Sequence, residues 1–167
     1  MKLTLRNSNI KDLDNIYQLQ LECFNQSDRW YKSIISQYLN NGLVIENNNK
    51  EIIGVLLQGK ILPCDEHDNF IHTDDIGKEF FTNNMHLKEL YGIVMICIHS
   101  NFRCKGLAQK LINKHFDINK EKLLCLNTRN DNKEAINLYI KMGYLNIGLI
   151  KDKYFFPNED SKFMIKM

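Results

Sequence analysis

The sequence predicts an α/β fold in which a mixed sheet has helices on both faces. Short apolar runs typical of strands alternate with segments whose apolar residues recur at helical spacing. The apolar run at residues 90–98 leads through a basic, glycine-containing turn into an amphipathic helix. A chain of 167 residues is long enough to bury a core without disulfides or metals, so we expect a single domain spanning residues 1–167.

Five elements are predicted before residue 62. A first strand is followed by two helices, and two further strands flank a short asparagine-rich turn that is typical of a hairpin. In order, they are a strand at 3–6, a helix at 12–24, a helix from about 28 with Trp30 and Tyr31 on its apolar side, and strands at 43–46 and 52–61.

Six elements are predicted from residue 90 onward. The segment before them, residues 62–88, is polar and has no clear periodicity, so we expect an insertion or a long loop there. The run at 90–98 is apolar throughout, which indicates a strand buried on both faces. The predicted elements are strands at 90–98, 123–126, 144–150 and 162–165, a helix at about 107–116, and a helix at 132–142 that Gly143 ends.

Composition and spacing argue against several classes of function. The net charge of +2 is too small to predict binding to nucleic acid or to a membrane surface. No apolar segment approaches the length that spans a bilayer. The five cysteines and five histidines show no ligand spacing, so we predict no metal site. An odd cysteine count without a signal peptide favours a reducing compartment, and we expect a soluble, cytoplasmic protein.

The basic turn after residue 98 has the features of an anion site. A helix N-terminus presents backbone N–H groups without intrahelical partners, and the helix dipole adds positive potential, so phosphate is the expected guest. The small residues Gly106 and Ala108 let an anion approach the backbone closely, and Arg103 and Lys105 add positive charge. The turn lacks both the P-loop motif and the dinucleotide-binding glycine motif. On spacing alone, an ordinary exposed connection explains it equally well.

Two motifs together resemble those of the GNAT superfamily of acyl-CoA-dependent N-acyltransferases. Residues 103–108, RCKGLA, resemble its Q/R-x-x-G-x-G/A pyrophosphate loop. Residues 130–144, NDNKEAINLYIKMGY, are similar to its next block, N-x-x-A-x-x-L-Y-x-K-x-G-F/Y. The resemblance implies the GNAT fold, a mixed and mostly antiparallel sheet of about seven strands flanked by about four helices. It also implies acetyl-CoA as the cofactor.

A longer stretch, LYGIVMICIHSNFRCKGLA, resembles eukaryotic N-terminal acetyltransferases, and ribosomal-protein alanine acetyltransferases share the layout. This implies transfer of acetyl to a primary amine by direct attack, with a protein N-terminus as the leading acceptor. An auxiliary acetyltransferase subunit and the ribosome are the partners that the resemblance suggests. Two alternatives stay open: acetylation of a small amine such as a polyamine or amino sugar, and a non-catalytic acyl-CoA-binding subunit.

The resemblance also assigns roles to particular residues. Tyr91 would order a water that accepts the amine proton, and Tyr139 would protonate the leaving thiolate. Asn127 stands where relatives carry a His or Glu that helps to deprotonate the amine, and it cannot titrate, so His99 is a distant candidate to replace that base. Both tyrosines lie in apolar surroundings and could instead be core aromatics.

The remaining assignments concern binding. The predicted contacts to acetyl-CoA are Ile96, Cys97, Ile98, Arg103, Cys104, Lys105, Gly106, Leu107, Ala108, Asn132, Ala135 and Tyr139. The predicted contacts to the acceptor are Trp30, Tyr31, Met95, Tyr154 and Phe155. Trp30 and Tyr31 are also explained by simple helix packing.

Overall fold

The computed structural model describes residues 2–61, 90–155 and 158–166. The predicted insertion at 62–88 lies outside the described residues. The chain divides into two compact units: Met1–Gly59 with Ile93–Lys120, and Lys60–Gly92 with Glu121–Met167. The expectation of a single domain over residues 1–167 stays a prediction.

The first unit is built on the strand order β1-β2-β3-β4. Strands β1 and β2 pair antiparallel, and β2 pairs antiparallel with β3, so the predicted hairpin is confirmed. Its elements are β1 (Thr4–Asn7), α1 (Leu13–Cys23), α2 (Lys32–Tyr38), β2 (Leu43–Glu46), most of β3 (Ile52–Ile61), most of β4 (Leu90–Ile98) and α3 (Leu107–Ile118).

The core of the first unit joins its helices to its strands. Ile16 of α1 and Ile35 of α2 are fully buried, and they belong to one cluster with Val55 of β3 and Met95 and Cys97 of β4. In β4, six of nine residues are buried and the other three are half-buried, which confirms a strand covered on both faces. The end of β4, where the basic turn begins, is therefore packed within the protein.

The second unit contains β5 (Leu124–Arg129), α4 (Lys133–Lys141), β6 (Leu145–Phe155) and β7 (Asn158–Lys166). Strand β7 lies between β5 and β6 and pairs antiparallel with both. A second cluster fills this unit, formed by Leu90, Cys125, Ile147, Phe163 and Ile165.

The predicted order of strands and helices is confirmed, with seven strands and four α-helices among the described residues. Some boundaries were wrong. The second helix begins at Lys32 and not near 28, because Arg29 and Tyr31 have extended backbones (ψ 134° and 150°). Trp30 and Tyr31 therefore precede α2. Strands β5, β6 and β7 run beyond their apolar runs, because antiparallel pairing continues through polar residues such as Thr128 opposite Lys162.

Candidate active site

The turn between β4 and α3 ends in a helix N-terminus without a side-chain cap. The turn begins with a 3₁₀ segment, Ser100–Phe102, and Gly106 occupies the N-cap position of α3. The Lys110 amide donates to the Gly106 carbonyl at 3.1 Å, which is the first helical hydrogen bond. The amides of Leu107, Ala108 and Gln109 precede it, so they have no intrahelical acceptor and can face an anion.

Gly106 is required by its backbone conformation. Its φ is 74°, in the left-handed region. A Cβ built there would meet only the Gln109 Oε1 atom, at an ordinary 3.6 Å. The protein therefore leaves room for a side chain at this position, and it is the left-handed backbone of the turn before α3 that favours glycine.

The two cations of the turn are fixed by backbone carbonyls. Arg103 Nε donates to the Ile98 carbonyl at 3.0 Å, and Lys105 Nζ donates to the Asn101 carbonyl at 2.9 Å. Lys105 Nζ also lies 5.3 Å from the centre of the Phe102 ring. Both side chains are exposed, so each places positive charge at the surface beside the open amides.

The predicted contacts on β4 face mainly inward. The side chains of Met95, Cys97 and Ile98 are buried, and Ile96 is half-buried. Met95, predicted to touch the acceptor, packs in the core of the first unit with 5% of its surface exposed. A ligand along this strand would have to use the backbone groups of residues 96–98.

In the second unit, Tyr91 is half-buried at the start of β4. Its amide donates to the Leu123 carbonyl at 3.2 Å, and the Lys122 ammonium lies 3.7 Å from the centre of its ring. Burial raises the pKa of the Tyr91 phenol above its ordinary value of 10. The phenol is therefore protonated at neutral pH, and it serves as a hydrogen-bonding group better than as a base.

Asn127 presents an unusual polar atom. Its Oδ1 is buried and has no hydrogen-bond partner within the part of the chain that the structure describes. A buried acceptor without a partner is costly, so this atom can accept a hydrogen bond from a ligand or a water. Asn127 lies on β5 opposite Phe163 of β7.

Tyr139 and Asn132 occupy the helix α4 region. Tyr139 is 4% exposed, and its ring meets Tyr144 edge-on at 5.8 Å. Burial, together with the neighbouring Tyr139 and Cys125, raises the pKa of Tyr144. Asn132 caps α4 by accepting a hydrogen bond from the Ala135 amide at 3.1 Å. The predicted cofactor contacts Asn132 and Ala135 thus have a structural role as well.

The predicted acceptor contacts Trp30 and Tyr31 lie between α1 and α2. The Trp30 ring packs on Tyr38 at 5.8 Å, whereas Tyr31 is 77% exposed. The buried Gln20 fixes this segment, since it accepts from the Trp30 amide at 2.9 Å and donates to the Trp30 carbonyl at 2.5 Å. Of Tyr154 and Phe155 the structure describes the backbone, which pairs with Glu159 and Asn158.

The structure thus gathers the site residues into two sets. The first unit contains Trp30, Tyr31, Met95, Ile96, Cys97, Ile98, Arg103, Cys104, Lys105, Gly106, Leu107 and Ala108. The second contains Tyr91, Asn127, Asn132, Ala135, Tyr139, Tyr154 and Phe155. Sequence reasoning missed two neighbours. Gln20 could have been noticed as a polar residue on the apolar side of α1, but Lys122 reaches Tyr91 only through the fold.

The model of the acetyltransferase (GNAT) family matches residues 10–144. The chain belongs to the GNAT family of acetyltransferases. The matched range includes both motifs that carried the resemblance, and it confirms the predicted class of enzyme.

Solved structures agree on the fold of this GNAT protein. NAA60 from Arabidopsis thaliana in complex with acetyl-CoA superposes with a TM-score of 0.76 at 18% identity, covering 99% of each chain. Arabidopsis thaliana Naa50 with the bisubstrate analogue CoA-Ac-MVNAL gives 0.74 at 15%, covering 100% and 99%. The Escherichia coli ribosomal-protein-S18-alanine N-acetyltransferase gives 0.73 at 16%, covering 99% and 93%. No curated protein matches the sequence significantly.

Family membership makes acetyl-CoA the cofactor of this protein, as predicted. The turn fits that molecule, because its diphosphate is an anion and the start of α3 offers open amides beside Arg103 and Lys105. The described residues contain no group of three metal-ligating side chains. No helix in the described ranges is long and apolar enough to cross a membrane.

Proposed function

We propose that this GNAT protein acetylates the α-amino group of a protein or peptide N-terminus. The observation that carries the proposal is the open N-terminus of α3, which follows β4 in a chain whose residues 10–144 match the acetyltransferase family. The choice of acceptor is supported by relatives of the same fold that are N-terminal or ribosomal-protein acetyltransferases. It is also supported by Naa50, which binds a peptide-bearing analogue.

The cofactor is proposed to bind through its diphosphate at the turn. The amides of Leu107 and Ala108 would donate to phosphate oxygens, and Arg103 and Lys105 would supply charge. Hydrogen bonds to a charged group contribute roughly 1.5–3 kcal/mol each. Acetyl-CoA then supplies the reactive thioester, and the backbone of residues 96–98 would align its arm by strand-like pairing.

The acceptor amine needs little help to lose its proton. An α-amino group has a pKa of roughly 8, so about a tenth of it is already neutral at pH 7. We assign Asn127 to orienting the amine or a water bound to the amine, because its buried Oδ1 is an acceptor without a hydrogen-bond donor among the described residues. The protonated phenol of Tyr91 would orient the water that carries the proton away.

Tyr139 is proposed as the acid for the leaving group. Its side chain is buried on α4, and its phenol can donate a proton to a thiolate. We further propose that both units act as one catalytic domain, because the family match extends over parts of each. Auxiliary-subunit or ribosome binding and a cytoplasmic location stay predictions.

The proposal is tested by release of free thiol from acetyl-CoA in the presence of different amines. Lysine-free peptides with a free N-terminus should support release, and the same peptides with a blocked N-terminus should not. Spermine and glucosamine represent the small amines. Release with small amines alone would replace the proposal by a small-molecule acetyltransferase. Bound acetyl-CoA with no turnover of any acceptor would favour a non-catalytic subunit.

A further inference from the structure

Two cysteines and an arginine of the first unit converge at the end of β4. Cys23 is the last residue of α1, Cys97 lies in β4, and Arg103 follows in the turn. The Cys23 Sγ atom lies 3.4 Å from the Ile98 carbonyl oxygen, to which Arg103 Nε also donates. The side chains of Cys23 and Cys97 interact within the same core cluster, and both are free thiols.

The surroundings make the two thiols unequal. The hydrogen bond from Cys97 and the nearby Arg103 guanidinium lower the pKa of Cys23 to about 7, although burial and Glu22 act in the opposite direction. The same hydrogen bond and full burial raise the pKa of Cys97 well above 9.0. Near neutral pH a large share of Cys23 is therefore ionised, whereas Cys97 keeps its proton.

The two cysteines also differ in solvent exposure, and Cys23 is again the more reactive of the two. Cys23 is half-buried, whereas Cys97 is only 6% exposed. A reagent from solvent would meet the thiolate first and the thiol afterwards. This is the order in which an attacking and a resolving cysteine react.

We propose that Cys23 is an oxidation site for hydroperoxides and that Cys97 resolves it to an intramolecular disulfide. In the first step the Cys23 thiolate attacks a peroxide oxygen and the O–O bond breaks. Cys23 becomes a sulfenic acid, and the leaving hydroxide or alkoxide takes a proton from water. In the second step the Cys97 sulfur attacks the Cys23 sulfur, an S–S bond forms, and the displaced hydroxyl leaves as water with the Cys97 proton.

The first step prepares the second. The thiolate charge and hydrogen bond of Cys23 are the main reasons, with burial, that Cys97 holds its proton. Oxidation removes that charge, while the Arg103 charge, which lowers the pKa of Cys97, remains. The peroxide is the two-electron oxidant, and the two cysteines are oxidised together. No step involves acetyl-CoA, so the inference does not depend on the proposed function.

The test treats the reduced full-length chain with hydrogen peroxide and maps its peptides by mass spectrometry. The expected product links Cys23 to Cys97. In Cys97→Ser, Cys23 should accumulate as a sulfenic acid that dimedone traps, and in Cys23→Ser, position 97 should stay reduced. Cys104→Ser is the matched thiol control, since Cys104 is exposed but is not in the pair, and its Cys23–Cys97 link should form as in the parent.

Alkylation supplies a second readout that packing alone would not produce. The labelling rate of Cys23 by iodoacetamide should rise with pH through a midpoint at about 7. Arg103→Gln should shift the pH profile of Cys23 labelling upward. The proposal is overturned if peroxide leaves Cys23 reduced in the folded parent chain, or if Cys23 pairs with a cysteine other than Cys97. Because these two results are read on the parent protein, misfolding of a core variant cannot obscure them.

Discussion

Substitutions at Gly106 can separate the backbone role of this residue from the electrostatic role of the turn. Gly106 has a φ of 74°, and a Cβ there would only touch Gln109 at 3.6 Å. Gly106→Ala therefore adds left-handed strain and little else. Gly106→Gln adds the same strain and a long neutral side chain. Gly106→Glu adds the same shape as Gln together with a negative charge.

The expected magnitudes follow from these differences. All three variants should lose roughly 1–2 kcal/mol of unfolding free energy, which is the cost of a left-handed residue with a Cβ. In the Glu variant, each of two diphosphate charges about 4 Å from the carboxylate adds about 1 kcal/mol of repulsion in water. The sum of about 2 kcal/mol corresponds to a coenzyme A Kd roughly 30-fold weaker for Glu than for Gln.

Urea unfolding and isothermal titration with coenzyme A measure the two effects separately. The ratio of the Glu and Gln dissociation constants isolates charge, because bulk and strain cancel between them. Raising the ionic strength should shrink this ratio, since exposed charges are screened. Equal Kd values for the Glu and Gln variants would refute the assignment of residues 103–108 to the diphosphate.

Three further predictions concern other parts of the molecule. Tyr139→Phe keeps the buried ring, so we expect turnover to fall by about 10²–10⁴ with acetyl-CoA affinity within a few-fold of the parent; unchanged turnover would remove Tyr139 as the acid. Gln20→Leu leaves both backbone groups of Trp30 without their partner, so urea unfolding should show a loss of about 1–3 kcal/mol in unfolding free energy. An unchanged unfolding free energy would mean that Gln20 only fills space. Arg6 donates to Asp12 at 2.7 and 2.8 Å and lowers the pKa of that carboxyl below its ordinary 3.8. The pair therefore stabilises the fold fully above pH 3.8, and this contribution is lost as the pH falls through the lowered pKa of Asp12 in the folded protein. The acid limb of stability against pH should be flatter in Asp12→Asn, and an unchanged slope would contradict the pairing.

The elements that the sequence predicted well are those whose apolar residues decide their structure. The run at 90–98 becomes β4 with the expected bounds, and the hairpin of β2 and β3 also matches. The errors occur where backbone pairing or a tertiary contact decides. Trp30 carries the same apolar spacing as α2, yet the buried Gln20 binds both its backbone groups and holds it outside the helix.

The site was predictable to the extent that local chemistry defines it. The motif RCKGLA predicts a glycine-containing anion turn before a helix, and the structure adds that Gly106 has a positive φ. The Cys23–Cys97 pair could not be predicted from the sequence, because the two residues are 74 positions apart and each lies in an apolar segment. Only the packing of α1 against the end of β4 brings the thiols together.

The Ile98 carbonyl connects the two proposals and limits one of them. A carbonyl oxygen has two lone pairs, and this one already accepts from Arg103 Nε at 3.0 Å and from Cys23 Sγ at 3.4 Å. A cofactor contact at Ile98 would therefore use the N–H group, and a contact to a strand carbonyl would fall on Ile96. Ionisation or oxidation of Cys23 removes one of the two donors and returns a lone pair to Ile98. A change in the redox state of Cys23 would thus change the hydrogen-bonding capacity of the strand at the residue where the basic turn begins.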